Sequence, residues 1–177
     1  MTSMTSDRTV TITADVDRAI RRHGEETFPH ECCGALVGRP SLGSAELRPG
    51  KPAGALGGAA RRLVDAVVPL PNTTDEGPRR RFLVRPSDYR EAERRATDLG
   101  GELLGFYHSH PDHPARPSQY DLDHAWPTFA YVIVSVMGGA SADMTVWFLK
   151  DDRSTFEEGS LHHGENSHPD TAPAVHG

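Results

Sequence analysis

The sequence predicts a single domain of mixed α/β layer type. Three observations carry this. Short β-branched or apolar runs alternate with stretches of helical periodicity. The length, 177 residues, suits one compact domain with some tail. No internal repeat interrupts the alternation.

Taken in order, residues 1–8 are polar and read as a flexible N-terminus. Thr9 to Ile12 alternates as a strand does. Asp15 can cap a helix whose Val16, Ala19, Ile20 and His23 fall on one buried face, and Pro29 ends it. Ala35–Gly38 is a buried strand following Glu31, Cys32, Cys33 and Gly34. Residues 39–60 contain five Gly and three Pro and read as a flexible insertion. Leu63 to Leu70 is a strand stopped by Pro71-Asn72, then a charged loop to Arg81 and a short strand at Phe82–Val84. Pro86 to Leu99 is a helix with Asp88 and Glu91 as cap and partner. Its apolar stripe is Tyr89, Ala92, Ala96 and Leu99, and Gly100-Gly101 stop it. Leu103 to His108 is an apolar strand, followed by a Pro-rich loop and a short helix over Ser118–Ala125. Ala130–Val136 and Met144–Leu149 are neighbouring strands. The domain thus spans 9–158, and residues 159–177, rich in Gly, Pro and His, read as a disordered tail.

Composition excludes several classes. The net charge is −6, with 19 Lys+Arg against 25 Asp+Glu, which argues against a nucleic-acid binder needing a basic face. The longest apolar stretch, Phe129 to Met137, is half of the roughly 20 residues a membrane-spanning helix requires. The first ten residues carry no apolar signal region, so a cytoplasmic protein is expected. The two cysteines, Cys32 and Cys33, are adjacent and cannot staple the fold.

Chemistry concentrates in GFYHSHPDHPARPSQYD, residues 105–121. His108 and His110 end a strand two positions apart, so both imidazoles point to one side. Asp121, on the next helix, can fold back onto the same point. Two imidazoles and one carboxylate suit Zn²⁺ and leave a fourth tetrahedral position open, as catalytic zinc sites do. Zinc so held acidifies water to a pKa of about 7. A proton acceptor is still required. Glu31, at a helix–strand junction near Gly34, is the candidate, ahead of Glu25 and Glu26 on a solvated helix end. Ser118 can donate to a developing oxyanion or cap the helix carrying Asp121.

These residues resemble the JAMM (MPN-plus) metalloprotease motif, Glu…His-Ser/Thr-His-Pro-x₆-Ser-x₂-Asp, here Glu31, His108, Ser109, His110, Pro111, Ser118 and Asp121. The segment FPHECCGALVG is similar to the bacterial form of the Glu motif, and the likeness covers roughly residues 9–150. It implies a curved mixed sheet flanked by helices, with a layering like that of cytidine deaminases. It further implies zinc bound by His108, His110 and Asp121, Glu31 as general acid/base and Ser118 polarising the carbonyl. The implied reaction is hydrolysis of peptide or isopeptide bonds at the C-terminus of ubiquitin-fold, sulfur-carrier-like proteins ending in Gly-Gly.

Other residues read as structural. Asp112 and His113 sit in an exposed proline loop. His124 packs near Asp121. Cys32 and Cys33 are small buried groups with no His/Asn partners for a nucleophile. Trp126 and Trp147 belong to the core or its rim, and the tail histidines His162, His163, His168 and His176 are solvated. The competing function is a non-catalytic scaffold of the same fold, which lacks the ligand set present here. A nucleobase deaminase is disfavoured because no Cys-x-x-Cys exists.

Overall fold

A computed structural model describes residues 8–41, 61–72 and 84–165. Eight strands and three helices follow in the order β1 (Thr9–Thr13), α1 (Ala14–Thr27), β2 (Cys33–Ser41), β3 (Arg61–Leu70), α2 (Pro86–Asp98), β4 (Glu102–Pro111), α3 (Gln119–His124), β5 (Ala130–Met137), β6 (Ala140–Leu149), β7 (Phe156–Glu158) and β8 (Ser160–Gly164). The strands form one mixed sheet in the order β7-β6-β5-β4-β2-β3-β1-β8. β4–β5, β1–β3 and β1–β8 pair parallel, and the other neighbours pair antiparallel. The expected α/β layering with a mixed sheet is therefore present.

The sheet curls around α1. This helix touches β1, β3, β4, β5, β6 and β8, strands drawn from both ends of the order, and β6 also touches β8. Its buried residues are Val16, Ile20 and Gly24. Ala19, expected on the buried face, is exposed; the stripe turns instead toward Gly24. A Cβ there would stand 3.0 Å from Val136 Cγ2, tighter than ordinary contact, so the bare glycine helps the helix lie this close. Thr13, not Asp15, caps α1 by accepting the Val16 N–H at 3.3 Å; Asp15 and Asp17 occupy the first turn, where the helix dipole favours acids.

On the opposite face α2 packs through Ala92 and Ala96, whose small side chains admit it close to the sheet. Its cap is Arg85, whose N–H donates to Asp88 at 3.2 Å. Leu99, expected in the apolar stripe, is 58% exposed. The helix has already ended there, with Gly100 at φ +75° and Gly101 N–H donating to Ala96 O. Two apolar clusters result. Val10, Ile12, Val16, Ile20, Leu36 and Tyr107 lie in the one with α1; Ala35, Val37, Ala92, Ala96 and Phe106 lie in the one with α2.

Three expectations shift. β2 continues to Ser41 rather than yielding at residue 39, because β3 pairs with it to Arg61. The expected strand at 82–84 falls mostly outside the described residues, as do the N-terminal seven residues and 42–60, and Val84 is in no regular element. The expected disordered tail is corrected over Ser160–Gly164, which is β8. The pairing is backbone to backbone along β1, from Thr9↔Ser160 to Thr13↔Gly164, so it needs no apolar side chains. Among the described residues no helix is long and apolar enough to cross a membrane.

Gly159 alone separates β7 on one sheet edge from β8 on the other. Its N–H donates to Val146 O, and the next N–H, of Ser160, donates to Arg8 O. A Cβ at 159 would lie 2.5 Å from Arg8 O and 2.6 Å from the Phe148 ring. Gly159→Ala is therefore expected to cost about 1–3 kcal/mol of stability through overpacking, read as a lower urea midpoint; an unchanged midpoint would mean the closure tolerates a side chain.

Candidate metal centre

β4 is held between β2, antiparallel with Cys33 opposite His108, and β5, parallel with His108 opposite Ile133 and His110 opposite Ser135. Alternation along the strand puts His108 and His110 on the face of Phe106 and α2. Ser109 goes to the α1 face, where a Cβ on Gly24 would stand 3.4 Å from it. The proline loop then returns the chain to α3. Ser118 Oγ accepts the Asp121 N–H at 3.1 Å, and Asp121 Oδ2 accepts the Ser118 N–H at 2.7 Å. This reciprocal cap fixes the carboxylate. The cap role expected for Ser118 is thus present.

Three donors converge. His108 Nε2 lies 3.1 Å from His110 Nε2, and each imidazole nitrogen lies 3.4 Å from an Asp121 carboxylate oxygen. Bonds of about 2.0–2.1 Å to a tetrahedral zinc place donors about 3.3–3.4 Å apart. With each imidazole measured to its own carboxylate oxygen, the spacings are of that size, and one donor atom from each residue lies within 4.8 Å of the others, so the three residues could hold a zinc-sized ion. His110 Nδ1 lies 2.9 Å from Pro114 O; donating there leaves the Nε2 lone pair facing the centre. Burial lowers the His108 pKa despite the nearby Asp121, which keeps the ring neutral as a ligand must be. Burial also acts to lower His110, but Asp121, the Pro114 carbonyl and Glu31 together raise it. Burial alone would raise the Asp121 carboxyl; the imidazoles and the Ser118 N–H outweigh it and hold Asp121 well below the ordinary value.

Glu31 precedes β2 and is only 5% exposed. Two backbone ties place it. Ser109 N–H donates to Cys32 O at 3.1 Å, and Cys32 N–H donates to Ser109 Oγ at 2.8 Å. Asn72 Nδ2 donates to the Glu31 carbonyl at 3.1 Å. Glu31 Oε2 is buried with no hydrogen-bond partner among the described residues. Burial, reinforced by Asp121 and opposed by His110, pushes its pKa up to about 8. Glu31, His110, His113, Pro114, Arg116 and Ser118 line one cleft of about 320 Å³.

The remaining candidates resolve as follows. Asp112 accepts the Gly138 N–H at 2.7 Å and so ties the end of β4 to the β5–β6 turn. His113 lines the cleft but is exposed. His124 bonds its own helix at Tyr120 O and stacks on Tyr120, on the far side of Asp121. Trp126 stacks on Tyr89 at 5.1 Å, and Trp147 Nε1 donates to Thr145. Cys32 and Cys33 are buried free thiols whose pKa values burial raises, Cys32 to about 11, so neither is a thiolate. His162 and His163 stand on β8, with His163 3.1 Å from Asp17; His168 and His176 lie outside the described residues. Sequence reasoning gave no task to Ser109, Asn72 or Arg116. The i, i+2 spacing in His108-Ser109-His110 already implied that the serine faces away from the imidazoles.

An α/β domain bearing a His-x-His and Asp donor set beside a buried Glu defines a hydrolase-type candidate metal centre. Residues 13–150 match the family described as prokaryotic homologs of the JAB domain, and the chain belongs to that family. Relatives include a protein named desampylase from Haloferax volcanii, 30% identical over 78% of this chain and 88% of its own length. A probable TtuB-protein conjugate cleaving protease from Thermus thermophilus is 39% identical over 45% of this chain and 53% of its own. A solution structure from Desulfitobacterium hafniense superposes with a TM-score of 0.68 at 28% identity, covering 88% of this chain and 93% of that one. A JAB1/MPN domain protein from Archaeoglobus fulgidus, at 17% identity and TM-score 0.52 over 88% of this chain and 99% of that one, shares the fold.

Two outcomes follow from this geometry. Ser109→Ala strands the buried Cys32 N–H and is expected to cost about 1–3 kcal/mol, measured by urea denaturation; a variant as stable as the parent would place the tie elsewhere. In metal-free protein, folded Glu31 keeps its proton up to about 8, whereas the unfolded chain releases it near 4.5. The folded state then holds more protons in that window, so this residue's contribution to stability falls as pH rises through it. The urea midpoint of the chelated parent should drop relative to Glu31→Gln between those pH values; parallel curves would contradict it.

Proposed function

We propose that this chain is a zinc-dependent metallopeptidase or isopeptidase that cuts peptide or isopeptide bonds at the C-terminus of ubiquitin-fold, sulfur-carrier-like proteins. The observation that carries the reading is the triangle His108, His110 and Asp121, whose His110 shares a cleft with the buried Glu31, a carboxyl with Oε2 unpartnered among the described residues. The printed names of the two relatives point to protein-conjugate cleavage, and the intact donor set separates this chain from a scaffold of the same fold.

In this reading His108, His110 and Asp121 hold zinc. When bound there, the ion supplies Lewis-acid chemistry, acidifying water and polarising a carbonyl. Glu31 takes a proton from the attacking water and hands it to the leaving amine; its raised pKa suits it to hold that proton near neutrality. Ser118 uses its oxygen to accept the Asp121 N–H, which leaves its own O–H to donate to the carbonyl oxygen as negative charge grows. Burial of Glu31, His108 and His110 lowers the local dielectric and strengthens these interactions. In this reading the substrate tail ends in Gly-Gly, whose lack of side chains eases its entry into the cleft. Two buried reduced thiols and a net charge of −6 accord with a cytoplasmic setting and with a protein partner rather than nucleic acid or membrane.

Glu31→Gln is expected to keep stoichiometric zinc by elemental analysis while losing about 10²–10⁴-fold in turnover. His110→Ala should lose both metal and activity, and chelation should abolish activity until zinc is restored. Substrate is tested by mass spectrometry of a ubiquitin-fold carrier bearing an extension beyond Gly-Gly. Parent activity surviving in Glu31→Gln would remove Glu31 from the reaction, and zinc retained in His110→Ala would remove that ligand.

A further inference from the structure

Arg116 lines the cleft with Glu31, His110 and Ser118, and it is the sole Arg or Lys among its lining residues. Its side chain makes no ion pair or hydrogen bond with any described residue, unlike Arg94, which pairs with Glu91 and Asp98, and Arg153, which donates to Ala125 O. Its backbone is nevertheless closely fixed. The preceding Pro114 carbonyl bonds both His110 Nδ1 and the Arg116 N–H. Ala115 is buried, and its carbonyl accepts from Thr145 Oγ1 at 2.6 Å. Pro117 follows, and Ser118 is locked by its cap with Asp121. A guanidinium delivered by such a rigid loop, in a cleft otherwise bearing the Glu31 carboxyl, calls for an anionic ligand. The planar fork fits a carboxylate in bidentate fashion.

We infer that Arg116 is a specificity-determining residue that grips the free α-carboxylate of the amino acid released, so that the cleft favours an α-linked C-terminal residue over a lysine-linked adduct. The inference rests on the proposed hydrolysis and adds which bond is preferred. The chemistry of the leaving group decides. Hydrolysis breaks the amide C–N bond; water's oxygen joins the acyl carbon, and a water proton passes through Glu31 to the departing nitrogen. In a released α-amino acid, nitrogen and carboxylate share one carbon. The group that protonates the amine and the group that binds the carboxylate must therefore border one cleft, as Glu31 and Arg116 do. A lysine ε-amine has four methylenes between it and its α-carbon, and within a protein its α-carboxyl is already an amide. Such a leaving group offers Arg116 nothing.

The test uses the full chain loaded with zinc and a ubiquitin-fold carrier ending Gly-Gly-Ala as free acid, as the C-terminal carboxamide, and as Gly-Gly joined to the ε-amine of Nα-acetyl-lysine amide. The parent should show kcat/KM higher for the free acid than for the other two by about tenfold or more. Arg116→Ala should bring the acid-to-carboxamide ratio near one, and Arg116→Lys should restore part of it. Calorimetry with metal-free chain and the peptide Gly-Gly-Ala, acid against amide, gives a readout without turnover: the parent should prefer the acid and Arg116→Ala should not. Equal parent rates on acid and amide, or a ratio unchanged in Arg116→Ala, would overturn the assignment while leaving hydrolysis intact. Failure of the parent to cut any of the three would overturn the hydrolase reading itself, and this inference with it.

Discussion

Ser109 and Cys32 exchange two hydrogen bonds, one through the serine hydroxyl and one through its backbone amide. That tie joins two segments far apart in sequence: the strand end carrying both imidazoles and the junction carrying Glu31. β2 and β4 already pair with Cys33 opposite His108, but ordinary ladder pairing starts only there. The serine extends the register one residue further, to the backbone beside Glu31. Everything chemical in the cleft inherits this placement. The parallel neighbour contributes too: β4 approaches β5 so closely at Gly105 that a Cβ would stand 1.9 Å from Ala130 O.

Two carboxylates a short distance apart are driven in opposite directions. Asp121 receives the Ser118 N–H and faces two imidazoles, which favour its charge. Glu31 has an oxygen with no donor among the described residues, sits out of water and feels Asp121, which favours its neutral form. Environment thus gives one functional group two characters, a charged oxygen donor at Asp121 and a carboxyl at Glu31 that tends to keep its proton. The helix cap serves the same division. Ser118 and Asp121 satisfy each other's backbone donors, and that single turn sets the carboxylate against the two imidazoles and Ser118 on the wall of the cleft.

The site was largely legible in the sequence because its geometry is local. His108 and His110 obey strand alternation, and Ser118 and Asp121 obey the i, i+3 spacing of a capping box, so each pair is fixed by rules a few residues long. Strand and helix order was legible for the same reason. What escaped depends on partners distant along the chain. Ala19 fits a helical stripe, yet the buried face is chosen by how near Gly24 can come to Val136. Leu99 continues a pattern beyond the point where Gly100 ends the helix. β8 carries two histidines and little apolar surface, so no hydrophobic signal marks it; an open strand edge on β1 recruits it. Arg116 had no signal either, since its significance lies in having no side-chain partner among the described residues and in the rigidity of the loop that presents it.

The stitch at Gly159 bears on how the molecule forms. β8 docks on β1, the first strand of all, at a separation of about 150 residues, and such distant pairings are slow to nucleate because a long loop must close first. Until β8 docks, that rim of β1 presents unpaired backbone N–H and C=O groups, the kind of edge on which a second chain can add a strand. The strand that joins the two ends of the described fold thus also shields this rim from edge-to-edge association, and Gly159 is the one residue through which β7 hands over to it.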